Sequence, residues 1–152
     1  MIGIVIASWL RPASRAEPVA EPRPQLVLAA KAPAEVRLRK RQNGHFYTHG
    51  LIDGQVVEFL VDTGASSVVL TIGDARRAGI DVDRRRFRVI GAGASGAVRG
   101  QVVRIASLEV EGRTLRDVEV MIAQGLETSL LGQDFLRHLE SVSMSGDAMV
   151  LR

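Results

Sequence analysis

The chain turns on the stretch Phe59-Leu60-Val61-Asp62-Thr63-Gly64-Ala65-Ser66-Ser67-Val68-Val69-Leu70. An apolar run delivers an acid into a loop of small and hydroxyl-bearing residues, and a second apolar run leaves it. A carboxylate at the end of a buried-type strand is costly, because desolvation disfavours its charged form. A special site justifies that cost. Gly64 permits a sharp turn that brings backbone amides near Asp62, and the hydroxyls of Thr63, Ser66 and Ser67 are candidate further donors. The loop is expected to hold one carboxylate still.

The rest of the chain beyond about residue 35 alternates short β-branched segments with turn dipeptides, the pattern of an all-β barrel or sandwich. Asp53-Gly54, between apolar runs at 45–52 and 56–61, predicts a two-residue hairpin. Glu111-Gly112 does the same between 102–110 and 114–122, and Ser145-Gly146-Asp147 turns a last hairpin whose return strand is 148–151. Thr71 can cap a short helix through Asp74, Ala75, Arg76 and Arg77 that Gly79 stops. Residues 132–138 predict a second, with Asp134 in its first turn, where a carboxylate favours the helix dipole.

Of the 152 residues 46% are hydrophobic, enough for one domain with its own core. One Trp, one Tyr and four Phe make that core mainly aliphatic. The net charge of +3 comes largely from basic clusters at 37–41 and 84–88, which are short, separate and poor in aromatics. Nucleic-acid binding uses a dense basic face interleaved with stacking rings, so no nucleic-acid partner is expected. The absence of cysteine excludes disulfides, thiolate metal sites and cysteine nucleophiles. His45, His49 and His138 lack metal-ligand spacing and read as surface or strand residues. No metal and no cofactor is expected.

Residues 2–10 form an apolar run shorter than the roughly 20 residues that a membrane-spanning helix needs. Followed by the small-x-small triplet Ser14-Arg15-Ala16, the run is similar to a signal-peptide core and cleavage site without a basic leader. All five prolines fall between residues 12 and 33. Residues 1–34 are therefore expected to be a signal or anchor remnant and an extended Pro/Ala-rich linker, and residues 35–152 the folded domain. The expected location is the periplasm, free or anchored to a membrane facing it.

At Leu60-Val61-Asp62-Thr63-Gly64-Ala65 the sequence resembles the retropepsin-like branch of the aspartic proteases, whose active-site loop reads apolar-apolar-Asp-Thr/Ser-Gly-Ala/Ser. A second family element, apolar-apolar-Gly followed by a short helix, is matched by Leu130-Leu131-Gly132-Gln133-Asp134-Phe135-Leu136. With Asp74-Ala75-Arg76-Arg77-Ala78-Gly79-Ile80, the resemblance is closest to the bacterial membrane-associated retropepsin-like proteins and covers about residues 45–152. It implies an all-β, closed-barrel subunit with one or two short helices, and an aspartic endopeptidase acting on peptide or protein. Asp62 would be the catalytic acid, with Thr63 bracing the partner loop and Gly64 shaping the site. Ala65 and Ser66 would touch substrate. So would Gly91, Ala92, Gly93 and Ala94, in a glycine-tipped flap at 89–98. Further walls are expected near Leu60, Val68 and Leu130.

One chain carries a single Asp-Thr-Gly, so the second carboxylate of such a site must come from elsewhere; the economical source is Asp62 of a second copy related by a two-fold axis, and a homodimer is expected. The alternative is a protease-like fold kept as a non-catalytic binding or dimerisation module. An intact Asp-Thr-Gly-Ala-Ser weighs against it, since a binding module has no need of a buried titratable carboxylate. Gly91 to Gly96 also fits the dinucleotide fingerprint Gly-x-Gly-x-x-Gly. That site needs a helix directly after the glycines, and the valine-rich residues 98–105 favour a strand instead.

Overall fold

Turn chemistry sets the register of the sheet. In the computed structural model of the chain, which describes residues 25–28, 35–93 and 96–152, Asp53 and Gly54 both have positive φ, 47° and 84°. They join β3 (Tyr47–Ile52) to β4 (Gln55–Val61) as an antiparallel hairpin. Positive φ at both turn residues matches the right-handed twist of the flanking strands, which is why Asp-Gly is favoured there. Glu111 and Gly112, at 50° and 75°, repeat the device between β7 (Gly96–Val110) and β8 (Arg113–Ala123).

Six strands then close on themselves among the described residues. β9 (Ser129–Leu131) pairs in parallel with β4 and antiparallel with β5 (Val69–Thr71), and β5 pairs in parallel with β8. Antiparallel pairings of β8 with β7 and of β7 with β3 complete the ring. Alternation along β4 sends Val57, Phe59 and Val61 inward and leaves Val56, Glu58 and Leu60 outside. Phe59, Leu70, Leu108, Leu115, Ile122 and Leu131 are fully buried in one continuous core. Each contributes about 1.5–3 kcal/mol by leaving water.

β6 (Arg88–Gly93) extends the barrel as a hairpin with β7, and β10 (Val142–Ser145), β11 (Ala148–Leu151) and β2 (Val36–Arg39) make a second, three-stranded sheet in the order β10-β11-β2. Its buried side chains Leu38, Met149 and Leu151 join the same core. α1 (Ile72–Arg77) begins where Thr71 Oγ1 accepts the Asp74 N–H, and it stops before Gly79, whose φ is 77°. α2 spans Gln133–Leu136, shorter than the helix expected at 132–138, because after one turn the chain must bend into β10.

One further expectation is revised. β1 (Gln25–Leu28) lies within the stretch read as linker, yet it pairs antiparallel with β8 from Arg116 to Arg113. The sheet thus draws on residues before 35. Leu-Val-Leu is a strand-forming run, and β8 has an edge there that β5 does not reach. In the basic cluster at 84–88, Arg84–Arg86 form a 3-10 turn capped by Asp83. Hydrogen bonds from Arg85 hold the Asp83 carboxyl below its usual range, so the cluster is partly neutralised from within. Gly96 opens a strand, as the valines required, and leaves no helix for a dinucleotide fingerprint.

Candidate active site

β4 gives way to the Asp62 loop through local hydrogen bonds. The Asp62 N–H donates to Leu131 O at 3.1 Å, and the Ala65 N–H returns to Asp62 O at 3.2 Å. The Gly64 N–H then donates to Asp62 Oδ1 at 2.9 Å. Among the described residues this is the hydrogen bond made to the carboxylate; the hydroxyls of Thr63, Ser66 and Ser67, candidate donors by sequence, are not among its partners. A tight turn brings the nearest N–H to the carboxylate first.

The start of α2 grips the same loop. Gln133 N–H donates to Ala65 O at 2.9 Å and Asp134 N–H to Ser66 O at 3.0 Å, while Gln133 Nε2 donates to Thr63 O at 2.9 Å. This close approach explains the glycine of Leu130-Leu131-Gly132: a Cβ at position 132 would stand 2.2 Å from Ser67 O and 2.7 Å from Ala65 O. Asp134 pairs with Arg137 at 3.2 Å, in keeping with a helix-start role. Beneath the loop, β9 is tied to β5 and α1 by a buried carboxylate. Asp74 Oδ2 accepts from Thr71 Oγ1 at 2.8 Å and from Ser129 Oγ at 2.6 Å, and Ser129 Oγ accepts the Thr71 N–H at 3.0 Å.

Asp62 opens into a cavity of about 740 Å³. Its floor is the loop from Gly64 to Ser67, its walls include Val69, Met121 and Leu130, and the β6–β7 hairpin contributes Ile90 to Gly93 and Val98. The turn from Gln124 to Leu126 also lines it. Among the described residues that line it, Asp62 is the one charged group. A smaller depression of about 140 Å³ at His49, Leu51, Val56 and Glu109 lies toward the other end of β4.

The cavity brings together Asp62, Gly64, Ala65, Ser66, Gly91, Ala92 and Gly93 from the expected set. Thr63 is exposed and does not line it, and Ala94 lies outside the described residues. Val68 and Leu60 are corrections. Val68 is fully buried in the core, and strand alternation gives the cavity its neighbour Val69 instead. Leu60 sits half-buried on the outer face of β4 opposite Tyr47. Val98 belongs to the expected flap, whereas Met121 and the 124–126 turn were not singled out from sequence, and Gln133 was quoted there only as part of the Leu-Leu-Gly element. The Gln-Gly of the turn and the residue following Leu-Leu-Gly were the local cues.

A sequence profile for the family described as "gag-polyprotein putative aspartyl protease" matches residues 48–138, more than half of the chain. The chain belongs to this family. Its fold is similar to that of a retropepsin-like aspartic protease from Rickettsia conorii, at a TM-score of 0.66 and 26% identity, covering 77% of this chain and 98% of that one. EIAV protease, solved with the inhibitor HBY-793, shares the fold at a TM-score of 0.54 and 22% identity over 64% of this chain and 90% of its own. An uncharacterised Sinorhizobium protein is 35% identical over 132 residues, 86% of this chain and 57% of the relative. An uncharacterised Rickettsia prowazekii protein is 26% identical over 118 residues, 77% of this chain and 51% of the relative. The chain spans about half the length of these curated relatives. The retropepsin-like barrel that the Asp62 loop implied is therefore the fold of this family member.

Proposed function

We propose that this chain is one subunit of a homodimeric aspartic endopeptidase in which the Asp62 carboxylates of two copies face each other and activate a water. The observation that carries this is Asp62 itself: one oxygen is anchored by the Gly64 N–H, and the side chain is set in an otherwise uncharged cavity of about 740 Å³. Two carboxylates at close range cannot both ionise easily, so the pair holds one proton between them. The ionised member takes a proton from water as it attacks the peptide carbonyl, and the protonated member polarises the carbonyl oxygen. The apolar walls accept an extended peptide, with the β6–β7 hairpin as its cover and Gly91 to Gly93 as contacts.

A lone Asp-Thr-Gly supplies one carboxylate, and the second comes from a symmetry mate. β10 supports such an arrangement: it is the outer strand of the small sheet, its sequence Val-Ser-Met-Ser carries no charge or proline, and Met144 is 60% exposed. Monomeric proteins normally protect an edge of that kind. Antiparallel pairing of β10 with its copy is compatible with a two-fold axis. The apolar run at residues 2–10 would hold the domain in or facing the periplasm, which fractionation of tagged chain tests.

The deciding experiment compares wild type with Asp62→Asn on a peptide mixture from about pH 4 to 7. Cleavage whose rate per subunit rises with protein concentration, and which the substitution abolishes, is the expected result. Cleavage that survives Asp62→Asn removes the mechanism, and absence of cleavage by either protein favours a non-catalytic binding module.

A further inference from the structure

The peptide group between Thr63 and Gly64 is held at both of its polar atoms. Its N–H donates to Asp62 Oδ1 at 2.9 Å, and its C=O accepts from Gln133 Nε2 at 2.9 Å. The two atoms belong to one rigid plane, so any rotation that takes the carbonyl away from Gln133 also swings the N–H away from the carboxylate. Gly64 has no side chain to oppose such a rotation, which leaves the loop in need of an external brace. Gln133 can supply one because it is itself fixed. Its own N–H is bonded to Ala65 O, and Gly132 before it is pressed against the Ala65 and Ser67 carbonyls. A backbone carbonyl demands a donor, so the side-chain amide must present its nitrogen here.

We propose that Gln133 is a positioning residue for the hydrolytic centre, locking the Thr63–Gly64 peptide group in the orientation that aims its N–H at Asp62. This rests on Asp62 being the catalytic carboxylate. Gln133 does not line the cavity and acts through Thr63 and Gly64. An apolar residue of equal length would keep the helix start and lose the brace, whereas a long side chain ending in an N–H donor would keep both.

The test uses Gln133→Met and Gln133→Lys in the full chain. Gln133→Met is expected to lower kcat about tenfold with KM changed less than about twofold. Its melting temperature falls by no more than about 2–4 °C, as for one lost hydrogen bond, and its dimer dissociation constant stays as in wild type. Gln133→Lys restores most of kcat. Independently of activity, amide exchange at Gly64 runs about fivefold faster in Gln133→Met and not in Gln133→Lys, the factor for losing one ordinary hydrogen bond. Wild-type kcat and wild-type Gly64 exchange in Gln133→Met would overturn the assignment. If wild type cleaves nothing, the functional proposal has failed separately, and Gly64 exchange alone decides whether the brace exists.

Discussion

Gly132→Ala is expected to unseat the Asp62 loop while leaving the barrel folded. The added Cβ would lie 2.2 Å from Ser67 O and 2.7 Å from Ala65 O, where contact distances begin near 3.4 Å. Both neighbours are backbone, so neither can rotate aside, and the loop and α2 must separate by about 1 Å. Overpacking of this kind costs about 1–3 kcal/mol. The separation also breaks the bonds from Gln133 N–H to Ala65 O and from Asp134 N–H to Ser66 O, each worth about 1 kcal/mol. The sum, about 3–5 kcal/mol, is a large share of a typical stability of about 5–15 kcal/mol. At about 2–4 °C per kcal/mol for a domain near this size, the melting temperature falls by about 10 °C. Urea and thermal unfolding measure the effect. Gly91→Ala is the control, because nothing lies within 4 Å of its added Cβ, and it changes stability by less than about 0.5 kcal/mol. A Gly132→Ala protein within about 1 kcal/mol of wild type would refute the packing of α2 on the loop.

Three other outcomes follow from the same structure. Asp74→Ala leaves the hydroxyl protons of Thr71 and the fully buried Ser129 without their acceptor, and urea unfolding is expected to show a loss of about 2–4 kcal/mol, with Asp74→Asn intermediate. Burial first, and Arg137 second, hold His138 below the usual histidine value of 6.5, and its Nε2 is enclosed without a partner among the described residues. The unfolded chain therefore takes up a proton that the folded one resists, so stability is complete above pH 6.5 and declines as pH falls below it. Between about pH 7.5 and 5.5 the wild-type urea midpoint falls further than that of His138→Gln, and equal falls would show that His138 does not couple to folding. Met144→Lys places a charge on the β10 edge and is expected to weaken the dimer about tenfold by sedimentation, the factor equivalent to 1.4 kcal/mol, without lowering the melting temperature of the dilute chain.

The features legible in sequence are those whose signals are local. Asp53-Gly54 and Glu111-Gly112 demanded positive φ and obtained it, Thr71 and Gly79 bounded α1, and the run around Asp62 marked a carboxylate held in a glycine turn. Each depends on a few adjacent residues whose conformational preferences act before any long-range contact forms. Strand partners were another matter. The insertion of β9 between β4 and β5, the docking of β1 on β8, and the reach of Gln133 to Thr63 across 70 positions leave no periodic trace, because they are chosen by which surfaces pack together. The same holds for the cavity wall, where Val69 and not Val68 faces the opening. By itself the sequence determined an acid-bearing β turn and the barrel class around it. The tertiary structure alone decided which distant carbonyls, amides and side chains close on that acid, since burial and hydrogen-bond geometry are properties of neighbours in space and not of neighbours in the chain.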